Sequence, residues 1–131
     1  MKTLLLALSS TFLLGGVALA EKGDPTNTAE GVLLEGLKLI NDNKWDDWIS
    51  RHCSPDKLCF NPDSKKSLKT YNLPAMQRRA KHCLKDGKIT VTRTDEISAD
   101  EVKLFVQCEE QAMPVPFRMG KFEGKWYFNS L

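Results

Sequence analysis

Apolar and polar residues alternate through the C-terminal third of the chain, from Lys88 to Leu131. Apolar side chains fall at every second position in three successive stretches: Ile89 and Val91; Val102, Leu104, Val106 and Cys108; Val115, Phe117 and Met119. A fourth apolar stretch, Trp126-Tyr127-Phe128, follows a turn-like segment at 122–125. A period of two is typical of a strand with one face on a core. The pattern therefore predicts a four-stranded antiparallel meander.

Before the meander, apolar residues recur at steps of three and four, which is the period of a helix. We predict a first helix over 28–41, a second over 44–52, and a third that is capped by Asn72 and stopped at Gly87. Asn is a favoured N-cap, and Gly commonly ends a helix. The polar, proline-containing stretch 53–71 predicts a loop.

The first twenty residues have the features of a secretory signal peptide. Lys2 supplies a positive charge, residues 4–14 form a short apolar run, and Ala18-Leu19-Ala20 matches a small-x-small cleavage site. The apolar run is too short for a comfortable membrane span. The sequence therefore predicts cleavage before Glu21 and a mature chain, 21–131, that forms one domain. We expect it to be exported, either periplasmic or secreted, without a stable membrane anchor.

All four cysteines follow the predicted cleavage site. An even number of cysteines in an exported chain favours disulfides, and four cysteines allow three pairings that the sequence does not distinguish. The pairing we favour joins Cys53 to Cys59 and Cys83 to Cys108. On the chain-entropy model the second bridge would stabilise the fold by about 3 to 4 kcal/mol and the first by roughly 2 kcal/mol.

The charge balance gives no reason to expect a nucleic acid or an anionic membrane as partner. The chain has 19 Lys and Arg residues, of which Lys2 is removed with the signal peptide, and 17 Asp and Glu residues. The mature chain is therefore close to neutral. One basic run is either a solvated face or a surface for an acidic partner: Lys65, Lys66, Lys69, Arg78, Arg79, Lys81 and Lys85.

The sequence predicts no metal, cofactor or catalytic residues. The pairs His52-Cys53 and His82-Cys83 contain metal-ligating residue types, but their spacing matches no zinc template. A phosphate-binding loop, a nucleophile elbow and a His-containing triad are all missing from the sequence patterns.

The order of the predicted elements resembles the NTF2-like (cystatin-like fold) superfamily, particularly its small exported bacterial members. Two short motifs carry the resemblance: Asn43-Lys44-Trp45 after the first helix and Gly124-Lys125-Trp126-Tyr127 in the last strand. The resemblance implies an α+β fold in which three N-terminal helices pack on a curved antiparallel sheet of about four strands. Such a fold is a cone with a pocket at its open end.

What the resemblance implies for function is a binding protein rather than an enzyme. Enzymes of the superfamily place acidic, Tyr or His residues inside the cone, and no such set maps onto this chain. Members of the superfamily commonly pair sheet to sheet, so a homodimer through the sheet is one expected arrangement. Lys103, Phe105 and Gln107 would then lie on the outer face, with Phe105 exposed.

Together these features predict an exported, non-enzymatic binding module. It would hold a small apolar ligand in the cone or an envelope protein on the sheet face. The alternatives are an enzyme of isomerase, dehydratase or hydrolase type, and an inhibitor or immunity protein that uses 53–71 as a charged loop. The candidate ligand-binding residues, which could instead fill the core, are aromatic: Trp45, Trp48, Phe60, Tyr71, Trp126 and Tyr127.

Overall fold

The computed structural model describes residues 27–131, so the predicted signal peptide lies outside the described residues. The fold is α+β, with helices preceding a four-stranded antiparallel sheet, and this confirms the predicted class. The helical elements are α1 (Ala29–Asn41), α2 (Trp45–His52), α3 (Pro62–Ser67), a π-helical turn (Leu68–Asn72) and α4 (Leu73–Cys83). The strands are β1 (Val91–Ser98), β2 (Glu101–Val106), β3 (Val115–Phe122) and β4 (Lys125–Phe128).

Helix α1 begins and ends close to its predicted bounds. The Thr28 hydroxyl accepts a hydrogen bond from the Gly31 amide at 3.0 Å, so Thr28 is the N-cap. The helix ends before Asn43, which adopts a positive φ of 61°, a conformation that Asn tolerates better than most residues. One face of α1 is buried: Val32, Leu33, Gly36, Leu37 and Ile40.

The third helical stretch begins at Pro62, well before its predicted start after Asn72. Asn61 caps α3 by accepting a hydrogen bond from the Ser64 amide, and Pro62 occupies the first turn. The predicted cap, Asn72, instead lies inside the helical stretch, with helical backbone angles and no capping hydrogen bond. The widened π turn lies just before Pro74, which cannot donate to a carbonyl one turn earlier. The prediction of a loop over 53–71 was therefore wrong for its second half.

The sheet has the predicted meander order, β1-β2-β3-β4. The turn between β3 and β4 places Glu123 and Gly124 at positive φ, 52° and 82°, as a two-residue hairpin turn requires. Pro116 pairs with Phe105 of β2, but β4 pairs with β3 only from Met119 onward. The start of β3 is thus a local edge. Pro116 has no N–H, and no residue of β4 lies there to accept a hydrogen bond from it.

The ring of Phe128 is the point at which α1, α2 and the sheet meet. It packs edge-on against Trp48 of α2, with ring centroids 5.3 Å apart and an angle of 74° between the rings. On α1, a Cβ atom at Gly36 would collide with the Phe128 ring and lie 3.1 Å from the Trp48 ring nitrogen. The absence of a side chain at Gly36 is therefore what lets α1 approach the sheet so closely.

Both predicted disulfides are present. Cys53 bonds to Cys59, and Cys83 bonds to Cys108, so none of the cysteines is free. The second bridge joins the end of α4 to the residues after β2, where the Glu109 amide also donates to the His82 carbonyl at 2.9 Å. The helices and the sheet are thus linked covalently as well as by packing.

We predict that Gly36→Ala destabilises the protein although alanine is the better helix former. The added methyl group would have to displace the buried rings of Phe128 and Trp48. Overpacking of this kind typically costs about 1 to 3 kcal/mol of unfolding free energy, which denaturant titration measures. The matched control is Gly31→Ala in the same helix, where helix propensity favours alanine. Equal stability of the two variants would contradict the close approach at Gly36.

Candidate binding surface on the helical side

The side of the sheet that faces the helices is filled by the protein's own side chains. Residues on this inner face are at most 3% exposed: Leu104, Val106, Phe117, Met119 and Phe128. They belong to one hydrophobic cluster with the buried faces of α1 and α4. The space under the helices is thus occupied where the superfamily resemblance implies a pocket.

Four of the six aromatic candidates lie in or beside this core or on the sheet. Trp48 is fully buried against Phe128. Trp45 is half-buried, and its ring N–H donates to the Ile40 carbonyl at the end of α1. Trp126 lies on the inner face of β4 with the Lys121 ammonium 5.3 Å from its ring centre, and Tyr127 lies on the opposite face, paired with Gly120. These four side chains do not line one cavity.

The other two aromatic candidates are exposed on one side of the helical layer. Phe60 is 61% exposed and Tyr71 is 73% exposed. Each lines an open depression, of about 480 Å³ at Phe60 and about 190 Å³ at Tyr71, and the two depressions share Asn72 as a wall residue. The sequence identified these residues as candidates, and the structure brings them to neighbouring positions on the surface.

A third depression, of about 290 Å³, continues the same surface toward the sheet. It shares Ala75 and Arg79 with the Tyr71 depression, and it is also lined by Arg78, His82 and Glu110. We call the surface formed by these three depressions the helical flank. It runs from Phe60, through Tyr71, to the loop after β2.

The two arginines of the helical flank have no counter-charge of their own. Arg78 and Arg79 are exposed, and neither forms an ion pair with a carboxylate among residues 27–131. The nearest acidic group in the same depression, Glu110, lies 3.9 Å from the His82 ring instead. The lysines on α3, Lys65 and Lys66, also lack an ion-pair partner among the described residues. An anionic group from another molecule could therefore bind either arginine without displacing an ion-pair partner within residues 27–131.

The outer face of the sheet differs from the helical flank because both of its arginines already have carboxylate partners. Arg93 binds Asp95 through two hydrogen bonds of 3.0 and 3.1 Å, and Arg118 binds Glu101. Phe105, which we expected to be exposed, is half-buried because the Arg93 guanidinium lies 4.1 Å from its ring centre. The arginines of the outer face are therefore already engaged, and its Phe105 is less exposed than Phe60 or Tyr71.

No pattern in the sequence indicates one contact between two helices, that of the buried His52 with the exposed Glu35. His52 ends α2 and is only 6% exposed, and its Nε2 atom lies 3.2 Å from a carboxylate oxygen of Glu35 on α1. Neither ring nitrogen has a partner with hydrogen-bond geometry among residues 27–131, so the 3.2 Å contact is a close approach and would become an ion pair only if the imidazole took up a proton. Burial lowers the pKa of His52 below 6.5, while Glu35 opposes the shift and Arg51 adds to it. The pairing joins two helices, so local spacing does not reveal it.

Two groups that follow His52 in the chain are engaged in local structure. The neighbouring sulfur atoms of Cys53 and Cys59 are joined to each other. The buried hydroxyl of Ser54 accepts a hydrogen bond from the Leu58 amide, so it serves the local turn. The contact of the imidazole with Glu35 joins α2 to α1.

Metal-binding and membrane-spanning features are absent from the part of the chain that the structure describes. Within residues 27–131 no group of three or more His, Cys, Asp or Glu side chains is arranged to hold a metal ion. No helix in this range is long and apolar enough to cross a membrane.

Comparisons with known proteins found no matching family model, no matching curated protein and no matching solved structure.

We predict that His52 makes the stability of the protein fall in mildly acidic solution. The folded state holds the imidazole neutral by lowering its pKa, so the unfolded chain takes up the proton first. The contribution of His52 to the unfolding free energy should then be constant above pH 6.5 and decrease as the pH falls from 6.5 toward the lower pKa of the folded state. Denaturant titrations across this range measure the slope.

The variant His52→Gln should remove that slope, because glutamine does not titrate. The wild type titrated in parallel under the same conditions is the reference. A His52→Gln protein whose stability still falls with the wild-type slope would show that another group causes it.

Proposed function

We propose that this protein is an exported, non-enzymatic binding module that recognises a partner protein through the helical flank. The observation that carries the proposal is the combination of exposed Phe60 and Tyr71 with the unpaired Arg78 and Arg79 on one continuous surface. Large aromatic residues and arginine are the types most enriched at the energetic centres of protein interfaces. We expect the partner to present an acidic residue flanked by apolar ones.

The proposal favours a protein partner over a small apolar ligand held inside the fold. A ligand pocket normally encloses most of its ligand's surface. Here the inner face of the sheet is covered by core side chains, and the depressions of the helical flank are open to solvent. Shallow, adjoining depressions suit the side chains of a protein surface better than an isolated small molecule.

Export is supported by the two disulfides, since such bonds persist mainly in oxidising compartments. The proposal also treats the fold as a variant of the NTF2-like cone in which aromatic and aliphatic side chains close the interior. Helices followed by a four-stranded meander support this assignment, together with the two short motifs around Trp45 and Trp126. Binding then takes place outside the cone.

An inhibitor or immunity protein for an envelope enzyme is the second candidate, and one observation favours it. The segment 53–71 contributes Phe60 and Tyr71 to the helical flank, and its base is held by the Cys53–Cys59 bond. A disulfide-anchored surface segment with a protruding aromatic ring could enter the active-site cleft of an enzyme. In that case the captured partner would be an enzyme, and binding would reduce its activity.

Affinity capture from the exporting cell with matched variants tests the proposal. The flank variant carries Tyr71→Ala and Arg79→Ala, and the control carries Tyr127→Ala and Arg118→Ala on the outer sheet face. Both variants remove one tyrosine and one arginine, and thermal unfolding verifies that each is folded. We expect a partner that the wild type and the sheet variant retain and that the flank variant loses at least tenfold, because two central interface side chains are missing.

The opposite pattern would contradict the proposal. A partner lost only by the sheet variant would show that recognition uses the outer sheet face. Equal capture by all three proteins would show that neither pair of side chains contributes. A small molecule that remains bound to the purified wild type in native mass spectrometry would favour ligand binding as the function instead.

A further inference from the structure

Strand β1 forms one edge of the sheet and pairs only with β2 among the described strands. Six of its eight residues are exposed, including Ile97 at 49%. No helix packs closely on this strand, since the main contacts between helices and sheet involve β3 and β4. The outward backbone groups of β1 are therefore available to pair with another strand.

The central part of β1 has a charge pattern that is complementary to itself in antiparallel pairing. When Thr94 lies opposite Thr94 of a second copy, Arg93 lies opposite Asp95 and Asp95 lies opposite Arg93. Directly opposite residues share a face of the sheet, and opposite charges at such positions stabilise the pairing. Within one chain Arg93 already binds Asp95, so the pairing would add a second neighbour of opposite charge to each side chain and give a cluster of four alternating charges. No like charges face each other in this register.

The neighbouring registers are disfavoured by the same charges. In a pairing with a two-fold axis, one residue lies opposite its own copy. Residues that pair must direct their backbone hydrogen-bonding groups the same way, so the partner strand can shift only by two residues at a time, which moves the self-paired residue by one. One step places Arg93 opposite Arg93, and the other places Asp95 opposite Asp95. Both alternatives bring like charges together, so of these three registers only the one centred on Thr94 pairs opposite charges.

We propose that β1 is a self-association edge, through which two copies of this chain form a closed dimer with one continuous eight-stranded sheet. The register of β1 with β2 is regular only between Arg93 and Glu96, and bulges interrupt it on both sides. These bulges limit the pairing to the self-complementary segment. Because a two-fold pairing uses the free edge of both copies, the assembly stops at two chains. The proposal is independent of the helical flank and its partner.

The charges provide a test in which two variants associate only with each other. Arg93→Asp alone places an aspartate opposite an aspartate at both ends of the pairing, and Asp95→Arg alone places an arginine opposite an arginine. Each single variant should therefore have a dimer dissociation constant about tenfold or more above that of the wild type. An equimolar mixture of the two restores opposite charges and should form a heterodimer. The double variant, with both changes in one chain, should recover the homodimer.

Sedimentation equilibrium of the wild type, the variants and their mixture measures these constants. The control pair is Arg118→Asp with Glu101→Arg, which has the same charge changes on β3 and β2 and should show no selective heterodimer. A wild type that stays monomeric at all concentrations, or single variants that dimerise as well as the wild type, would overturn the proposal. A heterodimer of the control pair equal to that of the β1 pair would also overturn it, because charge attraction without strand pairing would then explain the association.

Discussion

The packing of Phe128 between Gly36 and Trp48 is the constraint on which the rest of the structure depends. One aromatic ring on the last strand contacts both of the first two helices, and it fits because residue 36 has no side chain. The Phe128 carbonyl also accepts a hydrogen bond from the Ser54 amide at 3.0 Å, so the same residue positions the chain after α2. The start of the disulfide-closed segment is thereby fixed to the sheet. Phe60 and Tyr71 lie further along the chain that starts from this fixed segment.

The close approach of α1 to the sheet bears on which surface could bind a partner molecule. A sheet whose inner face is covered by core side chains supports the proposal that recognition uses the surface. The two large surfaces differ in how far their charges are already satisfied. Arginines on the outer sheet face have carboxylate partners within the chain, whereas Arg78 and Arg79 on the helical flank have none among residues 27–131. A partner carboxylate gains more from an unpaired guanidinium than from one that must first leave a neighbour.

The predictable part of the fold depends on local signals. Strand alternation, the Thr28 cap and the turn at Glu123-Gly124 each involve residues a few positions apart, and the structure contains all three. The disulfide pairing was also predicted correctly, although its basis was a preference among three alternatives. The start of the third helix was missed because Asn61-Pro62 is equally typical of a turn and of a helix N-terminus.

The candidate site depends on contacts that the sequence does not encode locally. Phe60 and Tyr71 were candidates only as aromatic residues, and the arginines only as part of a basic run. Their common surface arises from the packing of α3 and α4. The contact between Glu35 and His52 joins residues of two helices. The contact of the Arg93 guanidinium with the Phe105 ring joins two strands. Such pairs become visible only when the tertiary arrangement is known.

The most direct test of the central claim is site-specific photocrosslinking in the exporting cell. A benzophenone amino acid would replace Tyr71 on the helical flank in one experiment and Tyr127 on the outer sheet face in another. Our account predicts a discrete protein adduct from position 71 and none from position 127, because the partner contacts the flank. An adduct from position 127 alone would contradict the account and place recognition on the sheet.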